Sequence, residues 1–297
     1  MPELSMLVAR SLFVLTLVLG APSARVVVAQ EGARREQSKE VSPKVDDKAA
    51  DAPTKADQKA EEDAEKENKK APPGLRFYLF REIAQTMHFS GASWLVRQTR
   101  ESEEHCSLVL SNIGLKPGMT VCDMGCGNGF YTLDMAKMVG KEGTIHAVDI
   151  QPPMLRMLRT RAKKAKLDNI KPVLGTLIDP KLPVDSCDLI LCVDVYHEFS
   201  HPEHMLAAMR KALKKDGLLL LVEFRAEDAS VPIKPEHKMT RDQVFKEMAA
   251  NGFKFEKEFE KLPWQHMLFF AKDEKFDATA KKIDELDLPN EKLGTIR

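Results

Sequence analysis

The sequence predicts an α/β domain on a doubly wound, mostly parallel sheet with an antiparallel C-terminal edge. Three observations lead there. Short apolar runs at 119–123, 144–148, 170–174, 187–193 and 218–224 alternate with helical patterns at 130–139, 153–166, 203–214 and 240–250. That alternation is the order crossover helices between parallel strands require. The first run enters a turn with three alternating glycines, Asp123-Met124-Gly125-Cys126-Gly127-Asn128-Gly129. Two late runs, 253–259 and 266–270, suit an antiparallel pair at the sheet edge.

The chain has 297 residues, enough for one sizeable α/β domain with extensions. Its 45 basic and 45 acidic residues balance. A nucleic-acid partner needs a concentrated basic face, and none is evident. Cys106, Cys122, Cys126, Cys187 and Cys192 do not form a disulfide-scaffold pattern. Buried thiols are expected, with a Cys122–Cys192 pair as the alternative should their strands be neighbours.

Residues 1–29 read as a separate object. Ser11 to Gly20 is apolar, Arg10 precedes it, and Val27-Val28-Ala29 offers small residues before Gln30. This resembles a secretory signal peptide. The other readings are an uncleaved anchor, which would tether the protein to a membrane, or a leader not translated as numbered. The apolar run is short for a span, and Pro22 and Arg25 interrupt its extension. Residues 30–73 are expected to be a disordered, charged linker. Within it, 31–70 carry 12 acids and 10 bases and no aromatic residue, too little apolar surface to order the segment. Pro72-Pro73-Gly74 marks the start of a folded domain at 74–272, and 273–297 form a tail. Arg76 to Met87 and Trp94 to Leu110 read as two helices capping the cleft, the second rich in charge (Arg97, Arg100, Glu101, Glu103, Glu104). Lys116-Pro117-Gly118 and Lys215-Asp216-Gly217 read as turns before strands.

The glycine turn carries the chemistry. A ligand can approach bare backbone there without meeting a Cβ. The helix that follows offers free N–H groups and the positive end of its dipole. Asp123 lies at the strand's end, where open α/β sheets place their ligands. The spacing is Gly-x-Gly-x-Gly after an acid, not the dinucleotide Gly-x-Gly-x-x-Gly, and no Gly-Lys-Ser/Thr follows. An acid before the turn repels a pyrophosphate, whereas the amine and carboxylate of an amino-acid moiety fit both the acid and the N–H groups. Thr144 to Asp149 is a second run ending in an acid, which can bind both ribose hydroxyls. The competing reading of Asp149 is a helix N-cap before Pro152.

These residues resemble the first motifs of the class I S-adenosylmethionine-dependent methyltransferases, of the type acting on small molecules. The resemblance covers roughly residues 75–272 and implies a Rossmann-like, seven-stranded sheet with S-adenosylmethionine as cofactor. It implies that Asp123, Gly125, Gly127 and Gly129, with Asn128, hold the methionine portion. Asp149 and Ile150 would hold the ribose. Met154 and the turn at 175–179 would lie near adenine. Many relatives carry an acid where Thr176 stands, so Thr176, Leu177 and Asp179 are alternatives for the adenine contact. Asp179 also reads as a turn residue before Pro180. Asp194 closes the cofactor side.

The fourth strand runs into Asp194-Val195-Tyr196-His197-Glu198-Phe199, where the acceptor pocket meets the cofactor in the resembled family. His197 can take a proton near neutral pH, and Tyr196 and Glu198 can orient it or bind the acceptor. The competing reading is that they only close the strand. His197-Glu198-Phe199-Ser200-His201 also matches the zinc motif His-Glu-x-x-His. That motif works on a helix, and Pro202 biases His201 away from helical geometry, so no metal site is expected from it. His237, Trp264 and His266 are candidates for the acceptor walls, with ordinary loop and core roles as the alternative. Glu223 and Glu227 are weaker candidates.

The expectation is therefore a methyltransferase with a small-molecule acceptor behind an export leader. S-adenosylmethionine is made in the cytosol, so an exported enzyme has to import or borrow it. The alternatives are an exported, non-catalytic binding protein on the same fold and a zinc hydrolase through His197-Glu198-x-x-His201, which predicts a helix over 197–201 and bound metal. No sequence feature sets the oligomeric state.

Overall fold

The computed structural model describes residues 52–277. The leader, the first part of the linker and residues 278–297 of the tail lie outside the described residues.

Helix α1, Lys55–Lys70, lies inside the segment expected to be disordered. The Thr54 side chain accepts from the Asp57 N–H, and the Asp57 carboxylate accepts from the Thr54 N–H. No residue of α1 is buried. Charge holds it instead: Asp57 pairs with Arg159 at 2.7 Å, Glu61 with Arg156 at 2.6 Å and Glu67 with Lys181 at 2.5 Å. The Leu177 N–H donates to Asn68 Oδ1 at 2.9 Å. Composition measures apolar burial and so missed an element docked by ion pairs. Such pairs contribute about 0–1 kcal/mol each and are screened by salt. Raising the salt from about 0.1 M to about 1 M is expected to speed amide exchange in residues 55–70 selectively. Amides of the central strands keep their protection, and hydrogen-exchange mass spectrometry checks this.

Arg76 to Met87 is not a helix. Strands β1, Phe77–Tyr78, and β2, Arg81–Glu82, pair as a hairpin whose turn residues, Leu79 and Phe80, have φ of 46° and 76°. Tertiary anchors override the helical pattern: Arg81 meets Glu247 at 2.7 Å, and Tyr78 Oη accepts from Asn251 at 2.7 Å. The single helix expected over 94–110 is three short ones: α2, Ala92–Leu95; α3, Arg100–Glu104; and α4, Cys106–Asn112. His105, left-handed at φ 52°, breaks the last two apart.

The core then follows the predicted order: β3 (Thr120–Met124), α5 (Phe130–Val139), β4 (Thr144–Asp149), α6 (Pro152–Ala165), β5 (Ile170–Leu174), β6 (Cys187–Val193), α7 (Pro202–Ala212), β7 (Leu213–Phe224), α8 (Arg241–Ala250), β8 (Phe253–Glu258) and β9 (Gln265–Lys272). The seven strands lie in the order β5-β4-β3-β6-β7-β9-β8, and β9 runs antiparallel to both neighbours. Lys215-Asp216-Gly217 does not precede β7 but lies inside it, where the pairing with β6 shifts between Cys187 and Leu189.

Both faces of the sheet are covered, so its central strands are apolar throughout. Cys122, Met124, Ile190 and Cys192 pack on one side with Leu206 and Met209 of α7 and Val244 of α8. Val121, Leu189 and Leu191 pack on the other with Val109 of α4 and Met135 of α5. All five cysteines are buried and free, including Cys122 and Cys192. The strand order reverses at β3, between β4 and β6, so a crevice opens beyond their C-terminal ends. Among the described residues, no helix is long and apolar enough to cross a membrane.

Candidate functional site

A cavity of about 510 Å³ occupies that crevice, within the range of small-ligand pockets. Its floor is the turn between β3 and α5. Gly125 (φ 67°) and Gly127 (φ 54°) line it in left-handed conformations. A Cβ on Gly125 would lie 2.3 Å from Val195 Cγ2. Glycine is therefore required by the chain's own packing as well as by ligand access. Neither Asp123, Asn128 nor Gly129 lines the cavity. Asp123 is buried beneath the turn and its carboxylate accepts from the Thr132 hydroxyl. Burial pushes it up to about 6, with nearby Asp149 adding and the Thr132 hydrogen bond opposing. Asn128 holds the turn to its surroundings, donating to the Ala92 carbonyl at 3.0 Å and accepting from Arg161 at 2.9 Å. Gly129 starts α5. These three residues shape the turn from behind.

Asp149, at the end of β4, faces the cavity. Its Oδ2 accepts from the Gly127 N–H at 2.9 Å and its Oδ1 from the Gln151 N–H at 2.8 Å. One carboxylate thus clamps the glycine turn to the start of α6, and each oxygen keeps a lone pair for a ligand hydroxyl. Burial raises its pKa to about 6 against those backbone donors. Ile150, Met154, Thr176 and Leu177 continue the same wall. The Thr176 hydroxyl accepts from the Asp179 N–H at 3.0 Å, and Asp179 Oδ1 accepts from the Lys181 N–H at 2.7 Å. Asp179 is thereby a turn residue outside the lining.

The opposite wall holds a buried charge cluster that sequence reasoning missed. Arg100 and Glu104, noted in the sequence only as charges of a capping helix, are 5% and 1% exposed and line the cavity. Arg100 pairs with Glu104 at 2.9 Å, stands 4.0 Å from Asp194, and lies 4.3 Å over the Phe130 ring. Asp194 is left-handed at φ 49°, a strained conformation of the kind that collects at functional sites. Its Oδ1 is buried without a hydrogen-bond partner among the described residues. Burial, then Glu104 and Glu223, hold its carboxyl well above the usual range, with Arg100 opposing. Arg97 also pairs with Glu104, so two guanidiniums meet two acids here, and the acceptor left open toward a ligand cation is Asp194 Oδ1. An aperiodic charge run gives no sign of such burial, since it depends on the docking of α3.

Beyond β6, Tyr196–Glu198 form a 3-10 turn. His197 lines the cavity; its Nδ1 stands 2.5 Å from Glu223 Oε2 and its Nε2 3.1 Å from His237 Nδ1. Glu223 Oε1 also accepts from the Tyr196 N–H at 2.9 Å. A carboxylate accepts, so Nδ1 carries the proton, and Nε2, hydrogen-bonded to His237 Nδ1, is the ring nitrogen on the cavity side. Burial of His237, reinforced by His197, depresses its pKa. Glu198 also lines the cavity and accepts from the Met87 N–H at 3.2 Å; burial raises it to about 7, with His197 the main opposing influence. Tyr196 corrects the sequence expectation. It is fully buried, does not line the cavity, and donates its hydroxyl to Glu247 Oε2 at 2.6 Å. Its neighbour position along the turn sends the side chain into the core.

The zinc-like pair His197 and His201 is not assembled. Pro202 starts α7, and His201 turns away, its Nε2 2.7 Å from the Pro72 carbonyl. His237 takes the place beside His197 instead. Trp264 and His266 do not line the cavity; His266 meets Glu227 at 2.9 Å.

An open sheet whose crevice joins a glycine turn, an acid ending the second core strand and a polar constellation ending the fourth defines a methyltransferase-type cleft. Residues 115–268, over half the chain, match the methyltransferase-domain family, and the chain belongs to it. It is 28% identical over 149 residues to a demethylmenaquinone methyltransferase of Staphylococcus aureus, covering 50% of this chain and 55% of that protein. It is 29% identical over 109 residues to a nocamycin O-methyltransferase of Saccharothrix syringae, covering 37% and 39%. The chain thus spans about half the length of these relatives or less. A crystal structure of an S-adenosylmethionine-dependent methyltransferase from Aquifex aeolicus superposes with a TM-score of 0.59 at 25% identity, covering 62% of this chain and 98% of that one.

Proposed function

We propose that the protein transfers a methyl group from S-adenosylmethionine to a small-molecule acceptor. The observation that carries this is one cavity shared by the glycine turn, Asp149, the Arg100–Asp194 pair and His197. Asp149 would accept from the ribose hydroxyls, with Met154 and the Thr176–Leu177 turn against the adenine. Arg100 would meet the methionine carboxylate, and the unpartnered Asp194 Oδ1 would accept from its ammonium. Bound there, the cofactor supplies an electrophilic methyl carbon on its sulfonium.

The acceptor would lie between these groups and His197, against Phe199, Met205, Phe224 and Ile233. Those walls favour a flat, lipophilic body, and the His197 lone pair can take an acidic hydrogen from it. Likeness to the quinone-type and nocamycin methyltransferases supports a small-molecule acceptor. The leader-like residues 1–29 support an exported or membrane-tethered enzyme. Protease accessibility of an epitope-tagged chain in intact cells tests that placement: protection of the tag throughout would sink it.

Calorimetric titration of the full chain with S-adenosylmethionine and S-adenosylhomocysteine tests the cofactor assignment. Micromolar binding is expected. Asp149→Ala removes the charged acceptor of the ribose hydroxyls, each such bond contributing about 1.5–3 kcal/mol, so affinity should fall about 100-fold or more. A folded chain that takes up neither ligand overturns the proposal.

The same titration has a pH signature. Asp149 has its pKa raised to about 6 in the free protein, with buried Asp123 as its charged neighbour. Ribose hydroxyls prefer the ionised carboxylate, so the bound form has the lower pKa. Affinity is then flat above about pH 7 and falls by up to about tenfold per pH unit below 6. Affinity unchanged down to pH 5 would remove Asp149 from the site.

A further inference from the structure

We propose that His197, Glu198 and His237 form a divalent-metal site, of the kind zinc occupies, on the acceptor side of the cavity. Binding of the metal stands independently of the methyltransferase reading; its role toward an acceptor rests on that reading.

The three residues each offer one ligand atom, and these atoms all lie within 4.8 Å of one another. His197 Nε2 and His237 Nδ1 are 3.1 Å apart, and His237 Nδ1 is 3.9 Å from Glu198 Oε1. Tetrahedral zinc with bonds of about 2.0–2.1 Å sets neighbouring ligand atoms about 3.3–3.4 Å apart. Shifts of a few tenths of an ångström bring the two imidazole nitrogens to that spacing, and the Glu198 carboxylate, within 4.8 Å of both, closes on them by side-chain rotation. The two rings meet at 84°, so they converge edge-on rather than stack.

The surroundings fit as well. Glu223 accepts from His197 Nδ1 at 2.5 Å and is itself tied by the Tyr196 N–H. A carboxylate behind a ligating imidazole is the usual outer partner of a metal histidine, fixing its tautomer and orientation. The ligands come from two separate 3-10 turns, Tyr196–Glu198 and Pro235–His237. A shared metal would join the end of β6 to the loop after β7. Three protein ligands leave the fourth position open to the cavity, the arrangement of catalytic rather than structural zinc.

The open position would take a hydroxyl or carbonyl oxygen of the acceptor, which narrows the acceptor to a lipophilic body bearing such an oxygen. With the metal in place, the His197 lone pair is a ligand, and His197 is not the base.

The test uses the full chain, stripped with chelator and dialysed against zinc, with bound metal counted by mass spectrometry. One equivalent is expected in the wild type. His237→Ala should lose it, Glu223→Gln should keep the stoichiometry with affinity lowered roughly 10–100-fold, and His204→Ala should bind as wild type. Cobalt substitution of the wild type, which needs no variant to fold, should give the visible bands of a tetrahedral nitrogen–oxygen site. A thiolate charge-transfer band, an octahedral spectrum, or no uptake by a folded chain overturns the site, as does full binding by His237→Ala. Titration of the same samples with S-adenosylmethionine is scored separately, so loss of the metal site and loss of the cofactor reading are distinguished.

Discussion

Gly125→Ala is expected to lower S-adenosylmethionine affinity about 30-fold or more. Gly125 sits at φ 67°, and the new Cβ would lie 2.3 Å from Val195 Cγ2 and 3.0 Å from Val195 Cβ. Left-handed backbone costs a residue with a Cβ about 1–2 kcal/mol, and forcing a methyl into a packed site about 1–3 kcal/mol. Valine is stiff at χ1, so it cannot swing aside cheaply. The turn must move, and with it the Gly127 N–H bound to Asp149 and the Cys126 N–H bound to the Val148 carbonyl at 2.9 Å. Gly118→Ala is the control: φ is 86°, but nothing lies within 4 Å of the added Cβ. It should cost only backbone strain, lowering the melting temperature slightly while leaving affinity near wild type. Calorimetric titration with thermal melts separates the two. Equal affinities for Gly125→Ala and wild type would mean that the turn does not cradle the ligand.

The residues that made the sheet legible are those whose burial follows from the backbone. Val121 and Cys122 point to opposite sides, yet both meet apolar layers, so β3 reads as a continuous apolar run. Asp149 was legible for the same reason: it is where an apolar run stops. Tertiary geometry hid the rest. Arg100 and Glu104 look like surface charges until α3 docks and each becomes the other's solvent. Leu79 and Phe80 carry no turn signature, so the hairpin that replaced a predicted helix rests on long-range partners at Glu247 and Asn251. His237 stands 40 residues from His197 in a proline loop, and only the fold brings the rings together. The His-Glu-x-x-His spacing pointed instead to His201, which the backbone at Pro202 turns elsewhere.

The second large effect concerns His197. In the chelator-stripped, metal-free protein, His197→Asn should reduce turnover about 10²–10⁴-fold for any acceptor with an ionisable hydrogen, while the affinity for S-adenosylmethionine stays within about twofold, inside the context scatter of a single contact. The split follows from geometry: His197 touches Glu223 and His237, whereas Asp149, Arg100 and Asp194 hold the groups assigned to the cofactor. Glu223→Gln supplies the mechanistic readout. Glu223 reaches the acceptor only through His197, so it is a positioning residue, and its loss frees the ring to change tautomer. A glutamine side chain turned to donate its amide N–H to Nδ1 would shift the proton to Nε2 and remove the lone pair that faces the cavity. Turnover should then drop and the pH profile should shift, with the acceptor KM little changed. A residue needed only for folding would lower the melting temperature and leave the pH profile in place. Full turnover by His197→Asn would instead assign proton removal to solvent and leave the Glu223–His197 pair as a structural clasp between β6 and β7.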